Sequence, residues 1–240
     1  MHKIGKLLSI LGIILIVVPI IGSITLHYKQ ERLYKEYLKD NLREIQKNEQ
    51  SNLDEVNQTE EELVQGPKQE NISLKKESKK AHIPQKIQDK LDENENIPIT
   101  SEKLAAIIQG EVIGKIKIKV ADIDLILLEG VSDHEIKLGA GHMKDTAWPG
   151  SVGNCVIAGH RNYTFGSMFN RLDEVKVKDE IEIEFLGNHY YYMVNEVKIV
   201  ESDDLSVLES DESKEELTLI TCHPPYSGTH RLIIKGILNK

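Results

Sequence analysis

The pattern of apolar and polar positions divides the 240-residue chain into an anchor, a polar linker and a strand-rich domain. Residues 7–26 carry no charge, and roughly 20 apolar residues suffice for a helix to cross a bilayer core. Pro19 and Gly22 lie in this run; both residue types are poor in soluble helices but tolerated in membrane spans. The run outlasts the apolar segment of a cleaved signal peptide, and no Ala-x-Ala site follows it. Residues 1–27 are therefore read as an uncleaved, single-pass anchor. Lys3 and Lys6 on one side nearly balance Lys29, Arg32 and Lys35 on the other, so charge leaves its orientation open.

Residues 28–100 are rich in Glu, Lys, Asn and Gln and hold no strand-like run. Leu38, Leu42 and Ile45 have helical spacing and predict a short membrane-proximal helix, but Glu49 and Asn52 fall where the apolar repeat should continue. From Gln50 to Glu95 too little apolar surface exists to offset the entropy of ordering. This stretch is read as a solvated linker or stalk.

Order resumes at Ser101, and residues 101–240 form the predicted folded domain. Ser101–Ile108 predicts a short helix capped by Ser or Thr. The period then changes from helical to two. Ile113–Val120 alternates for most of its length, as a half-buried strand does. Further strands are predicted at Ile123–Leu128, Asn154–Ala158, Glu180–Phe185, Tyr190–Ile199, Glu216–Thr221 and Arg231–Ile237. Short helical turns are predicted at Asp133–Leu138, Ser167–Leu172 and Leu205–Leu208. Many short strands with little helix between them indicate an all-β fold, either a sandwich or a barrel.

Composition narrows the function. A net charge of −9 and a pI near 5.5 argue against nucleic acid as a partner, which would call for a basic patch. Cys155 and Cys222 are too few for a disulfide-built domain, so the fold rests on an ordinary core.

The chemistry concentrates at strand ends. Leu217–Thr221 is a β-branched, apolar run that ends on Cys222 before His223-Pro224-Pro225, a place where a thiol surfaces. A thiolate attacks carbonyls well, but an ordinary Cys is mostly protonated at neutral pH and needs a nearby cation or imidazole. Asn154–Ala158 leads through Gly159 to His160, and Arg231 opens the last strand. His160 is the candidate general acid and base, and Arg231 the candidate holder of substrate backbone or oxyanion. Cys155 sits mid-strand and is read as packing. Spacing supplies no acidic third member.

The motifs Gly139-Ala140-Gly141-His142, Ala147-Trp148-Pro149-Gly150, Gly153-Asn154, Ala158-Gly159-His160-Arg161, Leu217–Cys222 and Arg231 occur in that order over roughly residues 110–240. Each is weak alone; the ordered set resembles the sortases, transpeptidases that attach surface proteins to Gram-positive cell walls. The resemblance implies an eight-stranded β-barrel and puts the catalytic His, Cys and Arg on His160, Cys222 and Arg231. It implies that Ala158, Thr218 and Ile220 line the groove for the sorting peptide, and it leaves His142 structural.

It implies cleavage of an LPxTG- or LPxTA-like signal after Thr, then transfer through a thioacyl enzyme to an amine of the peptidoglycan precursor lipid II. The implied partners are surface proteins bearing a C-terminal sorting signal. The implied topology is a cytoplasmic N-terminus with the catalytic domain outside. No metal or cofactor is implied; calcium activation, known in some class A relatives, is not established by scattered acids. The short Cys222–Arg231 loop and the lack of a lid or second span make class D the best match and class A the next. Two features depart from the family pattern: the first strand lacks a central Pro, and Trp148 replaces a smaller apolar residue.

Competing readings use the same residues. A membrane-anchored cysteine protease would employ the same dyad without needing an amine. A zinc site would draw on Cys222, His223, His230 and His160, but these lack a CxxC or HxxxH framework. A catalytically inert wall-binding module would leave Cys222 unreactive.

Overall fold

The structure, a computed structural model, describes residues 2–63, 98–161, 168–225 and 227–239. The expected linker over 64–97 and the first residue of the turn expected at Ser167 lie outside these. Two compact units are present, one built from Met1–Tyr37 with Ile97–Lys240 and the other from Leu38–Asn96.

The N-terminal helix α1 runs His2–Leu63. It exceeds the short helix that the spacing of Leu38, Leu42 and Ile45 predicts. Losing the apolar repeat at Glu49 and Asn52 removes a packing face, but Glu, Lys, Gln and Leu remain strong helix formers. Its Leu11–Arg43 portion is long and apolar enough to cross a membrane.

In the first unit Leu26, Gln30, Leu33, Tyr34 and Tyr37 recur at helical three- and four-residue steps and share one face. That face lies on the strand-rich domain. The Gln30 side-chain amide donates to the Leu138 carbonyl at 2.7 Å. The Tyr34 hydroxyl donates to Glu184, and that of Tyr37 to the Ile113 carbonyl at 3.3 Å. The Lys115 ammonium sits 4.2 Å from the centre of the Tyr34 ring. The stretch read as a linker thus touches the domain within its first ten residues.

Helix α2, Ser101–Ala106, is capped by Thr100, whose hydroxyl accepts from the Lys103 amide at 3.2 Å. The strands are β1 (Val112–Ile118), β2 (Ile123–Glu129), β3 (Ala140–His142), β4 (Gly153–Ala158), β5 (Glu180–Phe185), β6 (Asn188–Glu201), β7 (Glu215–His223) and β8 (His230–Leu238). They close a barrel in the order β1-β2-β3-β4-β7-β8-β6-β5. Closure removes the exposed edges that a sandwich would leave. Neighbours are antiparallel except β2 with β3 and β4 with β7, which are parallel.

A parallel pair needs a crossover. Helix α3, Asp133–Leu138, lies in the first one, its start fixed by a capping box between Ser132 and Glu135. The short strand β3 was not predicted, because three residues are too few to show a period. The run Ile113–Val120 also ends earlier than predicted, in a 3-10 turn over Lys119–Ala121.

Alternate residues fill the interior. Cys155 and Ile157 from β4, Leu217 and Leu219 from β7, and Leu232 and Ile234 from β8 are all buried in one cluster with Phe169, Ile183 and Tyr192. The intervening residues of β4, β7 and β8 face outward, and that outer face carries the site.

Candidate active site

Strand register assembles the site. Ala158 of β4 pairs with Ile220 of β7, and Cys222 of β7 pairs with Arg231 of β8. The β4–β7 ladder continues past its last paired residue, since the Gly159 amide donates to the Ile220 carbonyl at 3.1 Å. The Thr221 hydroxyl donates to the Gly159 carbonyl at 2.8 Å. His160 follows Ala158 by two positions and Cys222 follows Ile220 by two, while Cys222 is itself paired with Arg231, at the end where β4 leaves the barrel.

Local contacts hold each of them. The Phe169 amide donates to the His160 carbonyl at 2.9 Å. The Phe169 ring packs against Gly159 so closely that a Cβ there would meet it at 2.7 Å. No larger residue fits before His160. Cys222 is a free, half-buried thiol. Gly228, at φ +60°, turns the Cys222–Arg231 loop back over it, its Cβ direction pointing within 3.7 Å of the sulfur. The Arg231 Nη1 donates to the carbonyls of Gly228 and His230 at 2.7 and 2.9 Å. Arg231 thus fastens that loop through one nitrogen, and its guanidinium has further N–H donors for a ligand.

The groove residues divide. Ala158 and Ile220 are half-buried beside the site, as a floor under a peptide should be. Thr218 shares their outer face yet is fully buried. Its hydroxyl donates to Asn154 Oδ1 at 2.7 Å, and the Asn154 amide donates to the carbonyls of Val207 and Glu209, each at 3.0 Å. The segment around the 3-10 turn Leu205–Leu208 is thus tied through Asn154 to Thr218.

The other two candidates of the sequence are structural. Cys155 is buried in the core, where loss of solvent, with the nearby Glu129 charge, pushes its thiol far above the ordinary range. His142 is buried, with Nδ1 2.6 Å from a Glu129 oxygen and Nε2 3.0 Å from the Ala147 carbonyl. The indole of Trp148 stacks on it at 4.6 Å and on Phe185 at 5.4 Å. That sandwich explains how the unusually large residue at 148 is housed.

Polar residues not singled out in the sequence also border the site. The imidazole of His160 helps hold the Asp133 carboxyl below its ordinary range, after the larger effect of Lys137. The Arg161 side chain, 5% exposed, pairs with Asp173 at 2.8 Å. Its Nη1 lies 3.0 Å from Nδ1 of His223. Arg161 entered the sequence reading only as the last residue of its motif and His223 only as a possible zinc ligand; nothing in the sequence signalled their link or the approach of Asp173.

The fold is a closed eight-stranded barrel with a half-buried free thiol at the end of β7. The family model described as "Sortase domain" matches residues 116–239, and the chain belongs to the sortase family. It is 32% identical over 130 residues to "Sortase D" of Bacillus subtilis, covering 53% of this chain and 64% of that one. Against "Sortase A" of Listeria monocytogenes it is 31% identical over 129 residues, covering 54% and 57%. The chain thus spans somewhat under two thirds of the length of these relatives. A solved structure of a Clostridium perfringens Sortase D5 transpeptidase superposes with a TM-score of 0.53 at 29% identity, over 65% of this chain and 95% of that one. The eight-stranded barrel expected from the resemblance is the barrel observed.

Proposed function

We propose that the protein is a membrane-anchored cysteine transpeptidase of class D type, with Cys222 as nucleophile, His160 as general acid and base, and Arg231 as oxyanion or backbone holder. The observation that supports this reading is the register: Ala158, two residues before His160, pairs with Ile220, two residues before Cys222, and Cys222 pairs with Arg231. The Cys222 thiol passes its proton to His160 as the sulfur adds to the carbonyl of the Thr in an LPxTG- or LPxTA-like signal, and Arg231 donates to the oxygen that gains charge. The amide C–N bond then breaks, the leaving amine takes a proton from His160, and a thioester remains. An amine of lipid II attacks that thioester, His160 takes its proton, and the sulfur leaves. Water in place of the amine would give plain hydrolysis.

Residues 7–26 would hold the enzyme in the membrane, N-terminus inside and barrel outside, where a tethered surface protein and a lipid-linked amine both arrive. Ala158 and Ile220 would form the groove floor. The test is turnover of fluorogenic LPxTG and LPxTA peptides with and without an amine acceptor, using the full chain in detergent. Cys222→Ala is expected to abolish turnover, His160→Ala to lower kcat about 10²–10⁴-fold, and Arg231→Ala about 10²–10³-fold. Residual transfer by Cys222→Ala would defeat the mechanism.

A further inference from the structure

Both catalytic strand ends carry one more residue before they diverge, and the structure joins those two residues. Arg161 follows His160, and His223 follows Cys222. The Arg161 guanidinium reaches Nδ1 of His223 at 3.0 Å through Nη1 and Oδ1 of Asp173 at 2.8 Å through Nη2. A guanidinium only donates, so Nδ1 of His223 accepts and the ring carries its proton on Nε2. The guanidinium is 5% exposed, so its charge has little solvent and depends on these partners.

The position of this fork matters as much as its strength. The pairing of β4 with β7 ends at Ala158 and Ile220, and the last ladder bond is that between Gly159 and Ile220. Beyond it β4 leaves the sheet, so backbone pairing no longer fixes His160 against Cys222. The fork closes one residue past both and does that work with side chains. Asp173 anchors its far end from the 3-10 turn Leu172–Glu174. A lysine would keep the charge but could not span two partners in fixed directions.

We propose that Arg161 is a positioning residue for the transpeptidation chemistry, aligning His160 with Cys222 through its link to His223. This rests on the thiol-transfer reading above. Misplacing reacting groups by about 1 Å can cost as much as 10²-fold in rate without altering ground-state binding. The informative variant is His223→Leu, which removes the acceptor but leaves the buried Arg161–Asp173 pair intact. His223→Gln retains an acceptor oxygen and serves as the conservative rescue.

With the full chain in detergent, kcat and KM for an LPxTG peptide with an amine acceptor are measured beside the thermal midpoint. His223→Leu is expected to lower kcat about tenfold or more, with KM unchanged and the midpoint within a few degrees. His223→Gln is expected to recover most of the rate. Arg161→Gln is expected to lose rate and stability together, and the Arg161→Gln/His223→Leu double variant to be no slower than Arg161→Gln alone. An unchanged kcat in His223→Leu, a rise in KM instead, or losses that multiply in the double variant would overturn the proposal.

Alkylation of Cys222 by iodoacetamide reads the same alignment without any peptide. It is expected to slow severalfold in His223→Leu and to recover in His223→Gln. An equal rate in wild type and His223→Leu overturns the proposal even if turnover is never seen. A wild-type enzyme that alkylates as expected but turns over no peptide would count against the transpeptidase reading alone.

Discussion

At the residue scale, direction and cover decide what each side chain can do. Cys155 and Cys222 are chemically the same group, yet one is buried in the core and the other is half-buried at the end of β7, where it pairs with Arg231. Desolvation raises the first thiol and removes it from chemistry. Thr218 shows the same logic for the groove. It lies on the outer face with Ile220 and Cys222, but its hydroxyl is committed to Asn154 under the 205–209 segment. Thr218→Val should therefore cost stability, about 1–3 kcal/mol for leaving the Asn154 oxygen unpaired, with kcat and KM for the peptide unchanged. Denaturant unfolding beside the turnover assay checks this; a raised KM at unchanged stability would return Thr218 to the groove.

At the scale of elements, the helix face from Leu26 to Tyr37 joins the apolar anchor to the barrel wall. Its polar centre is Glu184, 8% exposed, with the Tyr34 hydroxyl and Lys115 nearby. Burial, the largest influence, holds this carboxyl above its ordinary range, against the opposing effects of Tyr34, His189 and Lys115. Between the ordinary and the raised value the folded protein therefore binds more protons at this group than the unfolded chain does. Stability contributed by this group is present at and below the ordinary carboxyl pKa and falls as pH rises through the raised one.

Glu184→Gln should flatten that decline. The check is the thermal midpoint of wild type and variant measured from about pH 4 to pH 7. Identical slopes would show that Glu184 is not protonated in this contact. The strands were legible because period-two alternation is strong where one face is buried. The three-residue β3 and the docking of α1 were not, since the first has no period and the second depends on a wall assembled from β1, β2 and β5.

For the whole molecule, barrel closure brings three distant parts of the chain into line. Cys222 and Arg231 share a hairpin, and the segment leading to His160 lies next to it because β4 runs parallel to β7. The sequence offered these residues through their motifs and their places at strand ends. It could not display the register, the hydrogen bond of Thr218 to Asn154 or the link of Arg161 to His223, which arise from contacts more than 50 positions apart.

The central claim is that Cys222 forms a thioester that an amine resolves, and intact-mass spectrometry of the full chain in detergent tests it most directly. After incubation with an LPxTG or LPxTA peptide, the account predicts a mass increase equal to the acyl fragment through Thr, mapped to Cys222. Adding an amine acceptor should discharge it and yield the ligated peptide. Turnover with the acyl group on any other residue, or with no dependence on Cys222, would contradict the account.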